Sequence, residues 1–259
     1  MSRLAFADPP PLGGRPVNFL LFGGPGTGKT LGAASAPGPI LYLNADVGGA
    51  LDLAYARYGR EKIREVRVTN LQTLSDVVIA LNEEPQAFAT VALDPGADVY
   101  RSIIEGLNDR AISPSLPEYQ ATGVHLERFC RNMCENPNFN FVMCFHEYKV
   151  KDEEQGTVET YPFTGTDSVK LGNKLRGMAD VVGWTTLFHD EKTGDKNWVA
   201  QLIPEKGRQC KDRFNVLGDF RTVDLQEWID VIHAAKEEEE KKAEKKDTVG
   251  STRRRKVAA

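Results

Sequence analysis

The chain has 259 residues, 41% of them hydrophobic, and a formal net charge of -4. That length suffices for one α/β core plus a tail and falls short of two full domains. The acidic balance excludes the global basic field of a nucleic-acid-coating protein, so any DNA contact has to come from local loops.

Residues 1–16 carry Asp8-Pro9-Pro10-Pro11 and Gly13-Gly14 and read as an extended lead-in. The apolar run VNFLLF at 17–22 predicts the first strand. Directly after it, Gly23-Gly24-Pro25-Gly26-Thr27-Gly28-Lys29-Thr30 fits G-x-x-x-x-G-K-[ST] at every fixed position. Glycines let such a loop fold back so that backbone N–H groups converge on phosphate oxygens. Lys29 then reaches the β/γ-phosphates and the Thr30 hydroxyl holds Mg²⁺, with Leu31 closing the segment. The chemistry implied is nucleoside triphosphate binding, with ATP and Mg²⁺ as the expected ligands.

A short helix is expected over 29–36, stopped by Pro37-Gly38-Pro39, then a strand over 40–43 ending at Asn44-Ala45-Asp46. Helix is expected at 50–58, a short strand at 66–68, and helix at 71–82, where Leu71, Leu74, Val77, Val78 and Leu81 recur at helical spacing. TVALD at 90–94 is a buried-strand run ending in a carboxylate. Residues 97–107 read as helix, broken by Ser113-Pro114-Ser115-Leu116-Pro117. Leu126, Phe129, Cys130 and Met133 form a helix-face stripe, followed by a strand at 139–145 with His146-Glu147 at its edge. Residues 147–170 are polar and read as a long loop. Helix is expected at 171–178 and strands at 181–188 and 198–203, joined as a hairpin. A charged helix over 225–246 and the basic run Arg253-Arg254-Arg255-Lys256 close the chain. Alternating strands and helices, with strands apolar on both faces, predict a mainly parallel sheet covered on two sides. The division expected is a lead-in at 1–16, one α/β domain at 17–235 and a charged extension at 236–259.

Magnesium takes hard oxygen ligands, and Asp94 stands where a supporting strand-end carboxylate is needed. A second acid has to orient the attacking water. Asp46 is the candidate, its other reading being a turn residue beside Gly48-Gly49.

A phosphate loop, a carboxylate after the next strand, a strand-end aspartate and a polar residue ending a fourth strand together resemble the RecA-like ATPases. The chain is similar over about residues 17–216 to phage-encoded RecA-like NTPases with an AAA-type domain, a group that includes single-strand DNA annealing proteins. That resemblance implies a RecA-like P-loop fold, hydrolysis of ATP and a role on single-stranded DNA in recombination or annealing. It places Asp46 at the catalytic acid, commonly glutamate there, and His146 at the position that reads the γ-phosphate. Pro95 follows Asp94 where a small hydroxyl residue is usual. Glu205-Lys206-Gly207-Arg208 resembles the element that such proteins insert into a neighbour's site, so Lys206 and Arg208 become candidate catalytic cations and a ring or filament of copies is implied. A solvated basic turn is the plainer reading.

Candidate DNA contacts are residues 96–101 and the 147–177 segment, with Lys149, Lys151, Lys170, Lys174, Arg176, Tyr148, Tyr161 and Phe163. The alternative is a nucleotide-gated assembly or loader protein of the replication machinery, with a protein partner on the 225–246 helix. Cys130, Cys134, Cys144 and Cys210 show neither a CxxC pair nor zinc-ligand spacing and read as reduced thiols. No run approaches the roughly 18 apolar residues of a membrane span, and 1–16 lacks a signal-peptide core. A cytoplasmic protein with no membrane partner is expected.

Overall fold

A computed structural model describes residues 14–46, 48–107, 113–151, 156–166, 168–189 and 194–257, with backbone alone at 243–257. The first half alternates strand and helix: β1 (Asn18–Gly23), α1 (Lys29–Ser35), β2 (Ile40–Asn44), α2 (Asp52–Tyr58), β3 (Ile63–Arg67), α3 (Leu71–Glu83) and β4 (Thr90–Asp94). Helices α4 (Gly96–Leu107) and α5 (Leu116–Glu135) lead to β5 (Asn140–Lys151), β6 (Val158–Phe163) and α6 (Val169–Met178). The chain finishes with β7 (Val181–His189), β8 (Lys196–Gln201), β9 (Lys211–Asp212), β10 (Phe220–Thr222) and α7 (Leu225–Val257).

The strands form one sheet in the order β10-β8-β7-β1-β5-β4-β2-β3, with β6 on β5 and β9 on β7. From β7 to β3 all neighbours are parallel, and β1, β2 and β4 are buried at every residue. Such two-sided burial explains why these strands read as continuous apolar runs. β7 and β8 form the expected C-terminal hairpin, antiparallel from Trp184–Gln201 to His189–Lys196. This is the RecA-like P-loop architecture: a mainly parallel sheet with helices on both faces, and β5 standing between the phosphate-loop strand β1 and the carboxylate strand β4.

One face packs against α3, α4, α5 and α6 around Leu74, Ile103, Phe129, Phe141 and Leu175. The other packs against α1, α2 and α7 around Leu31, Ala54, Phe19, Trp228 and Ile232. Trp228 is fully buried with its ring 6.1 Å from Phe19, and its indole N–H donates to the Thr222 carbonyl at 2.9 Å. Truncating such an anchor to alanine costs about 3–5 kcal/mol.

Four expectations change. The 147–170 segment is not a long loop: β5 runs on to Lys151 and pairs antiparallel with β6 from His146–Phe163 to Lys151–Val158. Its polar residues belong to a ribbon with one exposed side, an alternation that looks like loop polarity in sequence. Ser113-Pro114-Ser115-Leu116-Pro117 leads into α5 rather than only breaking the chain. The Ser115 N–H donates to the Glu118 carboxylate at 2.5 Å in a capping box, and Pro117 sits in the first turn where no donor is lost. The edge strand β3 covers 63–67 instead of 66–68, because its alternating charges hide it from an apolar search. The 235/236 division falls inside α7, which continues through Arg253 to Lys256. Most of the 1–16 lead-in lies outside the described residues.

Candidate nucleotide-binding site

The phosphate loop leaves β1 between two parallel neighbours, with Gly23 opposite His146 of β5 and Thr185 of β7. The approach is so close that a Cβ on Gly23 would overlap the Thr185 carbonyl oxygen, which fixes glycine there. Gly26 and Gly28 adopt left-handed φ values of 73° and 87°. Thr27 ties the loop to itself and to the sheet, its hydroxyl lying 2.8 Å from the Gly24 carbonyl and 2.8 Å from the Thr185 hydroxyl. Pro25 and Gly24 complete the turn.

Lys29, at the start of α1, is buried and donates to the Gly23 and Gly24 carbonyls at 3.0 and 2.7 Å. Burial lowers its pKa, while the negative charges of Asp94 and Glu147 oppose that shift. The cation is therefore held where an anion would relieve it. Leu31 points its apolar mass into the α1 core and serves packing.

Thr30 donates to Asp94 Oδ2 at 2.6 Å, so the two expected magnesium-side residues do come together. Tyr42 of β2, which sequence reasoning missed, also donates its hydroxyl to Asp94 Oδ2. Burial raises the Tyr42 pKa well above the ordinary tyrosine value, and the Asp94 charge adds to it, so this phenol stays a donor. Only the alternation of β2 could have pointed Tyr42 to the loop side. Mg²⁺ fits here: a hydroxyl and a carboxylate oxygen are hard donors, and magnesium takes one or two such groups with phosphate oxygens completing its shell.

His146 is half-buried and sits in register with both Gly23 and Phe163, placing it between the loop and the β5–β6 hairpin. Asp46 lies two residues beyond β2, its N–H donating to Asn44 Oδ1 at 2.8 Å. Glu147, next to His146, is a second acid that the motif search passed over. It accepts from the Trp184 indole at 2.7 Å and pairs with Lys149 at 3.0 Å. Burial pushes the Glu147 carboxyl up, but the Trp184 and Lys149 hydrogen bonds outweigh it and leave the pKa below its ordinary value.

Arg208 is folded back onto its own chain. Its guanidinium lies 3.5 Å from the Trp184 ring centroid and donates to Gln201 Oε1 at 3.0 Å. Lys206 is exposed, at φ 53°, and 3.5 Å from the Glu205 carboxylate. The 205–208 turn is fastened to β6 by the Thr160 N–H on the Gly207 carbonyl at 2.8 Å, and it borders a cleft of about 670 Å³ with residues 157–159. The structure thus separates the two cations of this element into one pinned and one free of the core.

Glycine turn, buried lysine and a threonine–aspartate pair at the C-terminal edge of a parallel sheet define a P-loop NTPase. The chain belongs to the AAA domain family (AAA_24), whose sequence pattern matches residues 15–214. It is thereby a nucleotide-binding protein of ATPase type. No curated protein matches the sequence. Among solved structures, a KaiC-like protein from the hyperthermophilic archaeon Pyrococcus horikoshii is similar at a TM-score of 0.40 and 13% identity, over 72% of this chain and 78% of that one. Among the described residues no helix is long and apolar enough to cross a membrane.

Proposed function

We propose that the protein binds ATP with Mg²⁺, hydrolyses it, and uses the cycle to act on single-stranded DNA. The contact between Thr30 and Asp94 beside buried Lys29 carries the nucleotide part of this reading. Mg²⁺ held by Thr30 and Asp94 would supply charge neutralisation on the phosphates. The phosphate-loop N–H groups and Lys29 cradle the phosphates, and Thr30 and Asp94 hold the metal side. Water attacks the γ-phosphorus, the new P–O bond forms as the bond to the β-phosphate oxygen breaks, and ADP leaves with phosphate. A carboxylate accepts the water's proton. Asp46 and Glu147 both stand at this sheet edge as candidates for that role.

The DNA part rests on side chains around the β5–β6 hairpin. Tyr148 and Phe163 have ring centroids 6.0 Å apart, and Arg176 lies 5.8 Å from the Tyr161 ring. Phe163, Tyr100, Tyr119, Lys170 and Lys174 line a groove of about 900 Å³. Aromatic faces for bases with cations for phosphates are what sequence-tolerant strand binding requires. Lys149 and Lys174 are engaged with Glu147 and Glu127, so strand binding has to exchange those pairs for phosphate. Assembly into a ring or filament would use exposed Lys206 toward a neighbouring copy, with Arg208 serving its own chain.

The test is ATP hydrolysis with and without single-stranded DNA, run beside Lys29→Ala at several salt concentrations. Stimulation that the variant loses and salt weakens supports the DNA-dependent ATPase. Hydrolysis indifferent to DNA, with no strand retained at low salt, moves the reading to a nucleotide-gated assembly or loader protein whose partner is another protein of replication or recombination.

A further inference from the structure

Apart from the Thr30 contact with Asp94 of β4, every polar contact of the phosphate loop described so far comes from its own residues or from β7. One more comes from β8, outside every motif in the sequence. Trp198 is half-buried at the loop, its indole N–H donating to the Gly26 carbonyl at 3.1 Å. The same side chain lies on Gly28, where an added Cβ would stand 2.5 Å from Trp198 Cγ and 2.7 Å from its Cβ. Trp198 therefore touches both left-handed glycines of the loop, one by hydrogen bond and one by packing.

The peptide plane gives this contact a direction. In a trans peptide the carbonyl of one residue and the N–H of the next point to opposite sides. Fixing the Gly26 carbonyl on the Trp198 side sends the Thr27 N–H to the other side, and the Thr27 hydroxyl is already tied to Thr185. Gly24 cannot make the equivalent contribution, because its peptide is followed by Pro25 and has no N–H to aim. The 25–26 and 26–27 peptides carry the Gly26 and Thr27 N–H donors, and Trp198 holds the second of them through the Gly26 carbonyl.

Trp198 also joins the loop to the C-terminal elements. Its carbonyl accepts from the Val223 N–H at 2.9 Å, Val223 packs against Gly32, and the Leu225 N–H donates to Ser35 Oγ at 2.8 Å. Gly28, Gly32 and Ser35 lie along one stripe of α1, each abutted by β8 or by the segment entering α7. The loop and the segment entering α7 share one continuous contact line, with Trp198 at its phosphate end.

We propose that Trp198 is a positioning residue of the nucleotide site, orienting the Gly26–Thr27 peptide for phosphate and reporting nucleotide occupancy through its own indole. The proposal rests on the nucleotide reading above. Tryptophan emission of the full-length protein is titrated with Mg-ADP and with Mg-ATPγS, beside W198F and W184F, while affinity is measured by calorimetry. W198F keeps a ring on Gly28 and removes the N–H donor.

The expected result is an emission change that W184F keeps and W198F loses. Nucleotide affinity falls roughly 3- to 10-fold in W198F, the range set by one net hydrogen bond. Emission changes that persist in W198F, or vanish in W184F, overturn the proposal, as does W198F affinity within twofold of wild type. The W184F arm decides even where W198F fails to fold. Wild-type protein that binds neither nucleotide overturns the nucleotide reading itself, an outcome distinct from an unaffected W198F.

Discussion

The Thr30 hydroxyl donates to Asp94 Oδ2 across 2.6 Å, joining the end of the phosphate loop to the end of a strand two places away in the sheet. Asp94 is buried and receives Tyr42 on the same oxygen. One carboxylate thus ties α1, β2 and β4 together at the metal side of the site.

Tyr42→Phe removes the buried donor and leaves Thr30 in place. We expect a stability loss of about 1–2 kcal/mol and Mg-nucleotide affinity reduced a few-fold, from a lost hydrogen bond to a charged group. Asp94→Asn removes the charge and is expected to lower hydrolysis by roughly 100-fold or more. Urea unfolding and phosphate-release assays read the two effects, and full activity in Asp94→Asn would place the metal elsewhere.

Gly23→Ala puts a methyl group into the Thr185 backbone carbonyl, where no side-chain rotation gives relief. A destabilisation of about 2 kcal/mol or more is expected, at the upper part of the overpacking range. A Gly24→Ala control meets only the Thr27 methyl at 3.8 Å and leaves the unfolding midpoint close to wild type. Equal midpoints for the two variants contradict the close approach of β1 and β7.

Burial lowers the Lys29 pKa, so the folded chain releases this proton at a lower pH than the unfolded chain. Below the folded value the destabilisation by a buried charge is complete. Between that value and the ordinary lysine pKa of 10.5 the unfolded state binds more protons, and stability from this group rises with pH. Lys29→Met is therefore more stable than wild type at pH 7 without nucleotide, and the advantage narrows toward pH 10. Paired urea titrations at the two pH values check the sign; an advantage that widens contradicts it.

All four thiols resist ionisation. Burial pushes Cys134 up to about 12 and Cys210 up to about 11, and raises Cys130 and Cys144 well above the ordinary value. Native protein at pH 8 should take up iodoacetamide at least tenfold more slowly than protein in urea, where all four label. Mass spectrometry after timed quenching counts them. Rapid labelling of Cys144 in the native state would mean that α1 does not cover β5 as described.

Where residue types are chemically constrained, sequence and structure agree. Gly23 to Thr30 and TVALD were legible because a phosphate loop admits few residues at its fixed positions and a fully buried strand admits few polar ones. Tyr42 was hidden because a buried tyrosine in ILYLN looks like any core aromatic until its hydroxyl partner, far along the chain, is placed. Trp198 was hidden, as was the anchoring of Arg208 on Trp184 and Gln201, for a related reason: both depend on pairings of β8 and the 205–208 turn that only the folded sheet creates. The β5–β6 hairpin was misread because one wet face of a ribbon carries the same polar residues as a loop, and the period of two is short. Helix α5 was legible at its apolar stripe, while its start was masked by prolines that a first helical turn accepts.

The most direct measurement of the central claim is equilibrium binding of ATP to the purified chain with and without Mg²⁺, for wild type and Lys29→Ala. The account predicts saturable binding at one site by wild type, tightened by Mg²⁺ and weakened by roughly 100-fold or more in Lys29→Ala. Equal binding by both proteins, or binding that ignores Mg²⁺, would contradict a site built from Lys29, Thr30 and Asp94.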